Sequence, residues 1–330
     1  MRALTLLALL LALALASLLT SLVSGSVATS WQALQSVFSG NGDHLATQVI
    51  MELRWPRAVA AFTTGALLSV AGVLMQVLLR NTLADPYVLG ISGGAATGAL
   101  LALLLGLGSL GLHSAAFGGA LFSMLLVFGL SHGSGSWTTS RLLLTGVVIA
   151  AGWGAVIGFL LAIGPDQGLR GMLFWLMGDL SYAPFPATGL LVLAAGLLLA
   201  LAIGRSLNIL THGELTASAL GVSVIPLRRG IYLLASLLSA TAVTLAGSIG
   251  FVGLIVPHML RLAGVRDHRL LLPAAALLGG SLLIIADTLA RTLLAPRQLP
   301  VGILTALVGV PLFLVLLHHS RSELHSVNRP

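Results

Sequence analysis

Ten apolar runs, each close to the length a helix needs to cross a bilayer, follow one another through this chain with mostly short polar joints between them. They occupy 3–23, 57–79, 88–107, 115–131, 142–163, 187–204, 230–249, 250–265, 270–289 and 301–318. A spanning helix takes about 20 residues. With 330 residues, of which 57% are hydrophobic and 8% charged, the chain has too little polar surface to fold such runs into a soluble core. The expected fold is all-α: a polytopic membrane protein of about ten transmembrane helices, one domain over 1–330. Its weakest boundary lies near 249, where Gly247, Ser248 and Gly250 alone interrupt the apolar sequence.

One joint differs from the others. Arg205 to Arg229, RSLNILTHGELTASALGVSVIPLRR, is about two dozen residues long, against a usual connection of roughly 4–6. Leu207, Leu210, Leu215, Ala219 and Leu220 are spaced like the apolar positions of short surface helices, broken at Gly213 and Gly221 and stopped before Pro226. An ordinary interhelical connection and a structured functional loop both fit this pattern.

All sixteen basic residues are arginine, and the chain has neither lysine nor cysteine. That removes a Walker A lysine, Schiff-base chemistry, thiolate nucleophiles, disulfides and cysteine metal sites. The nine acidic residues are scattered, and no HExxH or nucleophile elbow is present. Nothing points to an enzyme. The net charge of +7 falls in the joints, so membrane topology explains it better than nucleic-acid binding.

With the amino terminus in the cytoplasm, Arg54, Arg57, Arg170, Arg291 and Arg297 fall outside and the other eleven arginines inside. This split obeys the positive-inside rule and puts both termini and the 205–229 joint in the cytoplasm. The first run resembles a secretory signal peptide in its single Arg2, its leucine-rich core and Ala14 and Ala16. At about 20 residues it exceeds a usual h-region of 7–15, so an uncleaved first helix is expected.

Small residues at Gly146, Ala150, Gly154 and Gly158, and across Ser92 to Gly98, suit close helix packing or the wall of a pathway. Asp287 and Arg291 stand at i,i+4, an inexpensive way to carry charge near a membrane boundary. His258, alone after Pro257, reads as a packed, hydrogen-bonded histidine. His318, His319 and His325 read as a solvated tail.

Several long motifs then carry a resemblance. GSIGFVGLIVPHMLRLAGVRDHRLLLP (Gly247 to Pro273), ADTLAR (Ala286 to Arg291) and LPVGILTALVGVPLF (Leu299 to Phe313) resemble the permease subunits of the iron-siderophore, haem and cobalamin family of bacterial ABC importers. LRWPRAVAAFTTGALLSVAGVLMQ (Leu53 to Gln76), RNTLADPYVLGISGGAATGA (Arg80 to Ala99), TSRLLLTGVV (Thr139 to Val148) and ALGVSV (Ala219 to Val224) match in the same order.

The resemblance implies a type II ABC importer permease in the bacterial inner membrane. It would pair with a second permease subunit, a copy or a paralogue, and with two ATP-binding subunits and a periplasmic binding protein. No cofactor is expected on this chain, since ATP and Mg would sit on the ATPase. Thr139 and Ser140 match a cytoplasmic gate, Asn81 and Leu83 a second constriction, with Thr82 where the family usually has proline. Glu214, Ala219, Leu220 and Gly221 match the segment that couples to the ATPase. Arg54, Arg57 and Arg291 match arginines that meet carboxylates of the binding protein, a task suited to the planar guanidinium. The implied solute is a metal chelate, ferric siderophore first, with haem and cobalamin alongside. The alternative is an ion-gradient-driven secondary transporter, which would need an intramembrane acid or coupling-ion site; no convincing one stands in the sequence.

Overall fold

Helix α4, Trp55–Leu79, is the axis around which the other helices stand. It carries no charge after Arg57 and buries nearly every side chain. Pro56 lies at the junction where the π-helical stretch Gln48–Arg54 passes into α4, a place where the loss of one helical N–H is tolerated. Glycines set how closely neighbours approach. A Cβ at Gly65 would meet the carbonyl of Gly279, and one at Gly72 the carbonyl of Gly253. Helices α12 (Val224–Ala246), α13 (Val252–Leu262) and α14 (His268–Thr292) therefore pack directly on α4, and α1 (Ala3–Val23) lies along α14.

The structure, a computed structural model, describes all residues except 1–2, 26–30, 41, 132–137, 182, 184–185 and 328–330, and places no side chain at 38 or 316–330. Arg2 and Arg329 lie outside the described residues, as do the side chains of Arg321, His318, His319 and His325.

A second group consists of α5 (Ile91–Leu104) paired with α6 (Ser109–Ser131), and α7 (Thr139–Ile163) leaning on both. The small residues of 92–98 serve this packing, with Gly94 against Gly119 and Gly98 against Ala115. The α7 stripe divides. Gly146 meets the backbone of Val88 and Leu89, while Gly154 and Gly158 face open space. Most of α7 is exposed, including Leu144, Val147, Val148 and Phe159, an apolar face that only lipid or another protein surface can cover.

Each of the ten runs contains a helix, but not ten membrane-long ones. Among the described residues, six helices are long and apolar enough to span, or seven if α9 (Ala187–Ala202) and α10 (Gly204–Leu210), bent by 59°, count as one. The 11 residues of α13 reach only about 17 Å at 1.5 Å each. Left-handed Phe251, at φ 71, starts this short helix, and the break expected near 249 falls between Ala246 and Val252. Periodicity missed α2 (Trp31–Phe38), α8 (Asp166–Leu176) and the helical lead-in to α4. That lead-in runs from α3 (His44–Thr47) through a π-helical stretch, Gln48–Arg54.

The 205–229 joint also differs from expectation. It contains α10 and α11 (Glu214–Ala219), but Arg228 and Arg229 already belong to α12. Pro226 does not stop a helix; it sits in the first turn of α12, where proline is tolerated. The last long helix is α15, Val301–Val327.

Candidate functional site: the two ends of α4

The two ends of α4 lie about 37 Å apart, 25 residues at 1.5 Å each. Its C-terminal end gathers the residues expected at the gate and the coupling segment. There α4 closes with a Schellman motif: Asn81 N–H donates to Gln76 O at 3.2 Å and Arg80 N–H to Val77 O at 3.3 Å. Arg80 adopts φ 47, a left-handed position that glycine usually fills. Asn81 Oδ1 accepts from Leu83 N–H at 2.9 Å. This Asx turn fixes the shape that a proline at 82 would otherwise fix.

Across from that turn, α7 begins. Thr138 caps it, its hydroxyl accepting from Arg141 N–H. Thr139 is half-buried and Ser140 exposed. Glu214, the first residue of α11, joins the two sides. Its Oε1 accepts from Arg228 Nη1 at 3.1 Å and pairs with Arg80 Nη2 at 3.3 Å. Arg228 also donates from Nη2 to Thr139 Oγ1 at 3.2 Å. Thr139 and the Asn81 turn are thus linked through Arg80, Glu214 and Arg228. Leu83 and Ser140 stay outside this network.

Helix α11 is held by one small side chain, fully buried Ala217, and closed by a second Schellman motif, Val222 N–H to Ala217 O and Gly221 N–H to Ser218 O. Gly221 stands at φ +80 with nothing near its missing Cβ, so glycine is required there by the backbone. The apolar side chains of Leu215 and Leu220 are 89% and 64% exposed, and Ala219 is exposed beside them. Behind them Asn208 of α10 binds the start of α14. Its Nδ2 donates to Asp267 Oδ1 at 2.8 Å, and its Oδ1 accepts from His268 N–H at 2.9 Å. The Asn208 amide, with the Arg269 N–H, holds the Asp267 carboxyl below its usual range.

The three arginines expected to meet a binding protein sit at the opposite end. Arg54, Arg57 and Arg291 are all more than nine-tenths buried. Arg57 donates to Asp287 from Nε at 2.9 Å and from Nη2 at 2.8 Å, and from Nη1 to Gln298 Oε1 at 2.8 Å. Arg291 Nε lies 3.4 Å from Asp287 Oδ2, the i,i+4 pair read from the sequence. Arg54 Nη1 donates to Leu22 O and Val23 O, and Arg291 Nη2 to Ser21 O. A helix C-terminus leaves its last carbonyls without partners and carries partial negative charge, so the two guanidinium groups cap α1. In this conformation the arginines fasten α1, α4 and α14 together. Sequence reasoning paired Arg291 with Asp287 but missed Asp287 as the acceptor of Arg57 and the end of α1 as the acceptor of Arg54 and Arg291, because these partners lie in other runs.

Near the same end a cavity of 760 Å³ is bordered by His113, Arg170, Asp179, Ser181, Arg297 and Gln298. Elsewhere, His258 is buried edge-on to Phe313, with no hydrogen-bond partner at Nε2 among the described residues; packing was expected, this open nitrogen was not.

Related proteins share this arrangement of helices and sequence. The FecCD transport family matches residues 11–319. The chain is 43% identical over 284 residues to the hemin transport system permease protein HmuU of Yersinia pestis, covering 83% of this chain and 84% of that one. It is 42% identical over 272 residues to the cobalamin import system permease protein BtuC of Halobacterium salinarum, covering 82% and 73%. A solved structure described as an inward-facing conformation of a metal-chelate type ABC transporter superposes with a TM-score of 0.84 at 31% identity, over 96% of this chain and 99% of the other. Sequence and fold agree over nearly the whole length: the chain belongs to the FecCD transport family and is a permease subunit of an ABC importer for metal chelates.

Proposed function

We propose that this chain forms half of the membrane pathway of an importer that moves a metal chelate from periplasm to cytoplasm by alternating access. A second permease subunit, copy or paralogue, would cover the exposed face of α7. Two ATPase subunits would dock at the α10–α11 end, on the cytoplasmic side with both chain termini. A periplasmic binding protein would deliver the solute at the other end, over the cavity bordered by Arg170 and Arg297 and framed by the buried Arg54, Arg57 and Arg291.

The observation that carries this reading is α11. A six-residue helix that turns Leu215 and Leu220 outward, anchored by Ala217 and joined to Thr139 by Arg228, is built to be gripped and moved. Asn81, Leu83, Thr139 and Ser140 are the proposed gate, and Glu214, Ala219, Leu220 and Gly221 the proposed coupling segment. Small hydroxyl and amide groups suit a gate because they close a pore without binding a passing solute tightly.

Ferric siderophore is the first solute to test, with haem and cobalamin beside it. The test is uptake of each labelled chelate into proteoliposomes holding the permease with its ATPase and binding protein. Accumulation of one of them that requires ATP and persists without an ion gradient is expected. Uptake driven by a proton or sodium gradient without ATP would replace this reading with a secondary transporter.

A further inference from the structure

Glu214 is one carboxylate between two arginines that belong to two different parts of the gate. Arg80 ends α4 and immediately precedes Asn81, while Arg228 holds the Thr139 hydroxyl at the first residue of α7. The root of Arg228 is fixed. One turn along α12, Tyr232 is fully buried and donates from its hydroxyl to Met124 O of α6 at 2.7 Å. The side chain of Arg228 is 8% exposed and that of Glu214 40%, so the carboxylate is the half of the pair that can move away.

Two electrostatic terms oppose this arrangement when the carboxylate leaves. Arg80 and Arg228 are like charges held on one oxygen, and they repel once it is gone. Arg228 also faces the N-terminus of α7, the positive end of that helix, where a cation is unfavourable. Glu214 offsets both.

We propose that Glu214, Arg80 and Arg228 form an ion-pair coupling in which withdrawal of α11 drives the Asn81 turn and the start of α7 apart. Arg228 is the positioning residue that holds Thr139. The proposal rests on reading α11 as the ATPase contact. The motion of a six-residue surface helix is thereby turned into opening of the pathway, with no need for the long helices to bend.

The absence of cysteine allows a direct test in the assembled importer. A single Arg141→Cys reporter, exposed beside the gate and outside the network, is labelled with a maleimide with and without ATP. In the otherwise native complex labelling changes with nucleotide. In Glu214→Gln and Arg228→Gln labelling becomes fast and independent of nucleotide. Solute moved per ATP falls at least roughly tenfold, the effect of losing a charged hydrogen bond. Arg228→Lys recovers part of both. Nucleotide-dependent labelling and normal uptake per ATP in both glutamine variants overturn the coupling. If either fails to assemble, Thr139→Val, which removes only the acceptor hydroxyl, decides on the same readout. Labelling that ignores ATP in the native network sinks the reading of α11 as the ATPase contact, whereas a native response that persists in the variants sinks the coupling alone.

Discussion

Arg57 and Asp287, 230 residues apart in the chain, meet as a bidentate pair between the start of α4 and the end of α14, and the same carboxylate lies 3.4 Å from Arg291 Nε. One buried anion therefore serves two buried cations. Removing one partner of such a group strands the rest at a cost of about 3–5 kcal/mol, more than an exposed pair is worth. Asp287→Ala should lower the thermal midpoint of the detergent-solubilised protein more than Arg291→Ala does, because Arg291 is one of two cations on that carboxylate. Equal shifts would mean that the pairs act independently.

The glycine crossing of α4 with α13 gives a second expectation. A Cβ at Gly72 would overlap the Gly253 carbonyl, which is backbone and cannot turn aside. Gly72→Ala should destabilise by about 1–3 kcal/mol, the range for overpacking a core. Gly152→Ala in α7, where nothing lies within 4 Å, serves as the control and should leave the melting curve of the solubilised single chain in place. A Gly72→Ala protein as stable as the control would show that α13 can shift.

What the sequence made legible follows from the range of each interaction. The apolar runs are local patterns, and each proved to hold a helix; the Asp287–Arg291 pair is local too and is present. Arg57–Asp287, Arg54 on the end of α1, and Arg228 between Glu214 and Thr139 are contacts between distant runs, and nothing in the spacing announces them. The burial of the three arginines was missed for the same reason. Helices α2 and α8 are short elements within polar joints, where a search for 20-residue runs does not look. The residues proposed for the gate and the coupling segment were named only through family motifs. The link from Glu214 through Arg228 to Thr139, and from Glu214 to Arg80 beside Asn81, is visible only in the fold.

The exposed leucines of α11 yield a third expectation. Leu220→Asp changes a 64% exposed side chain, so the spans should fold as before while ATPase binding weakens or ATP hydrolysis uncouples from transport. Leu215→Asp, at 89% exposure, should act the same way. Co-purification of the ATPase with each variant measures this, and undiminished binding and coupling in both would remove α11 from the interface. Bulk at Gly221 is a poorer test, because φ +80 makes a side chain there strained regardless of any partner.

Asp267 predicts a pH dependence. Its carboxyl, held low first by the Asn208 amide, contributes stability that is fully present above the ordinary carboxylate pKa of about 3.9 and is lost as pH falls through the lower folded value. Melting midpoints of the native protein and Asp267→Asn should differ by a constant amount from pH 8 to pH 5, roughly, and converge below about pH 4. A gap that closed near neutral pH would assign the effect to another group.

Ser140 offers a cleaner test of the gate than Thr139. Thr139 accepts from Arg228, so any large substitution there breaks the network as well as filling the pathway. Ser140 is exposed and its side chain makes no hydrogen bond among the described residues, so bulk at this position leaves the Arg228–Thr139 bond in place. Ser140→Trp should leave folding, ATPase binding and ATP hydrolysis close to native and abolish chelate uptake in proteoliposomes. Ser140→Ala should transport normally, because a gate closed by shape loses little with one hydroxyl. If the tryptophan variant transports at the native rate, the pathway does not pass the start of α7, and the gate must be sought at the Asn81 turn.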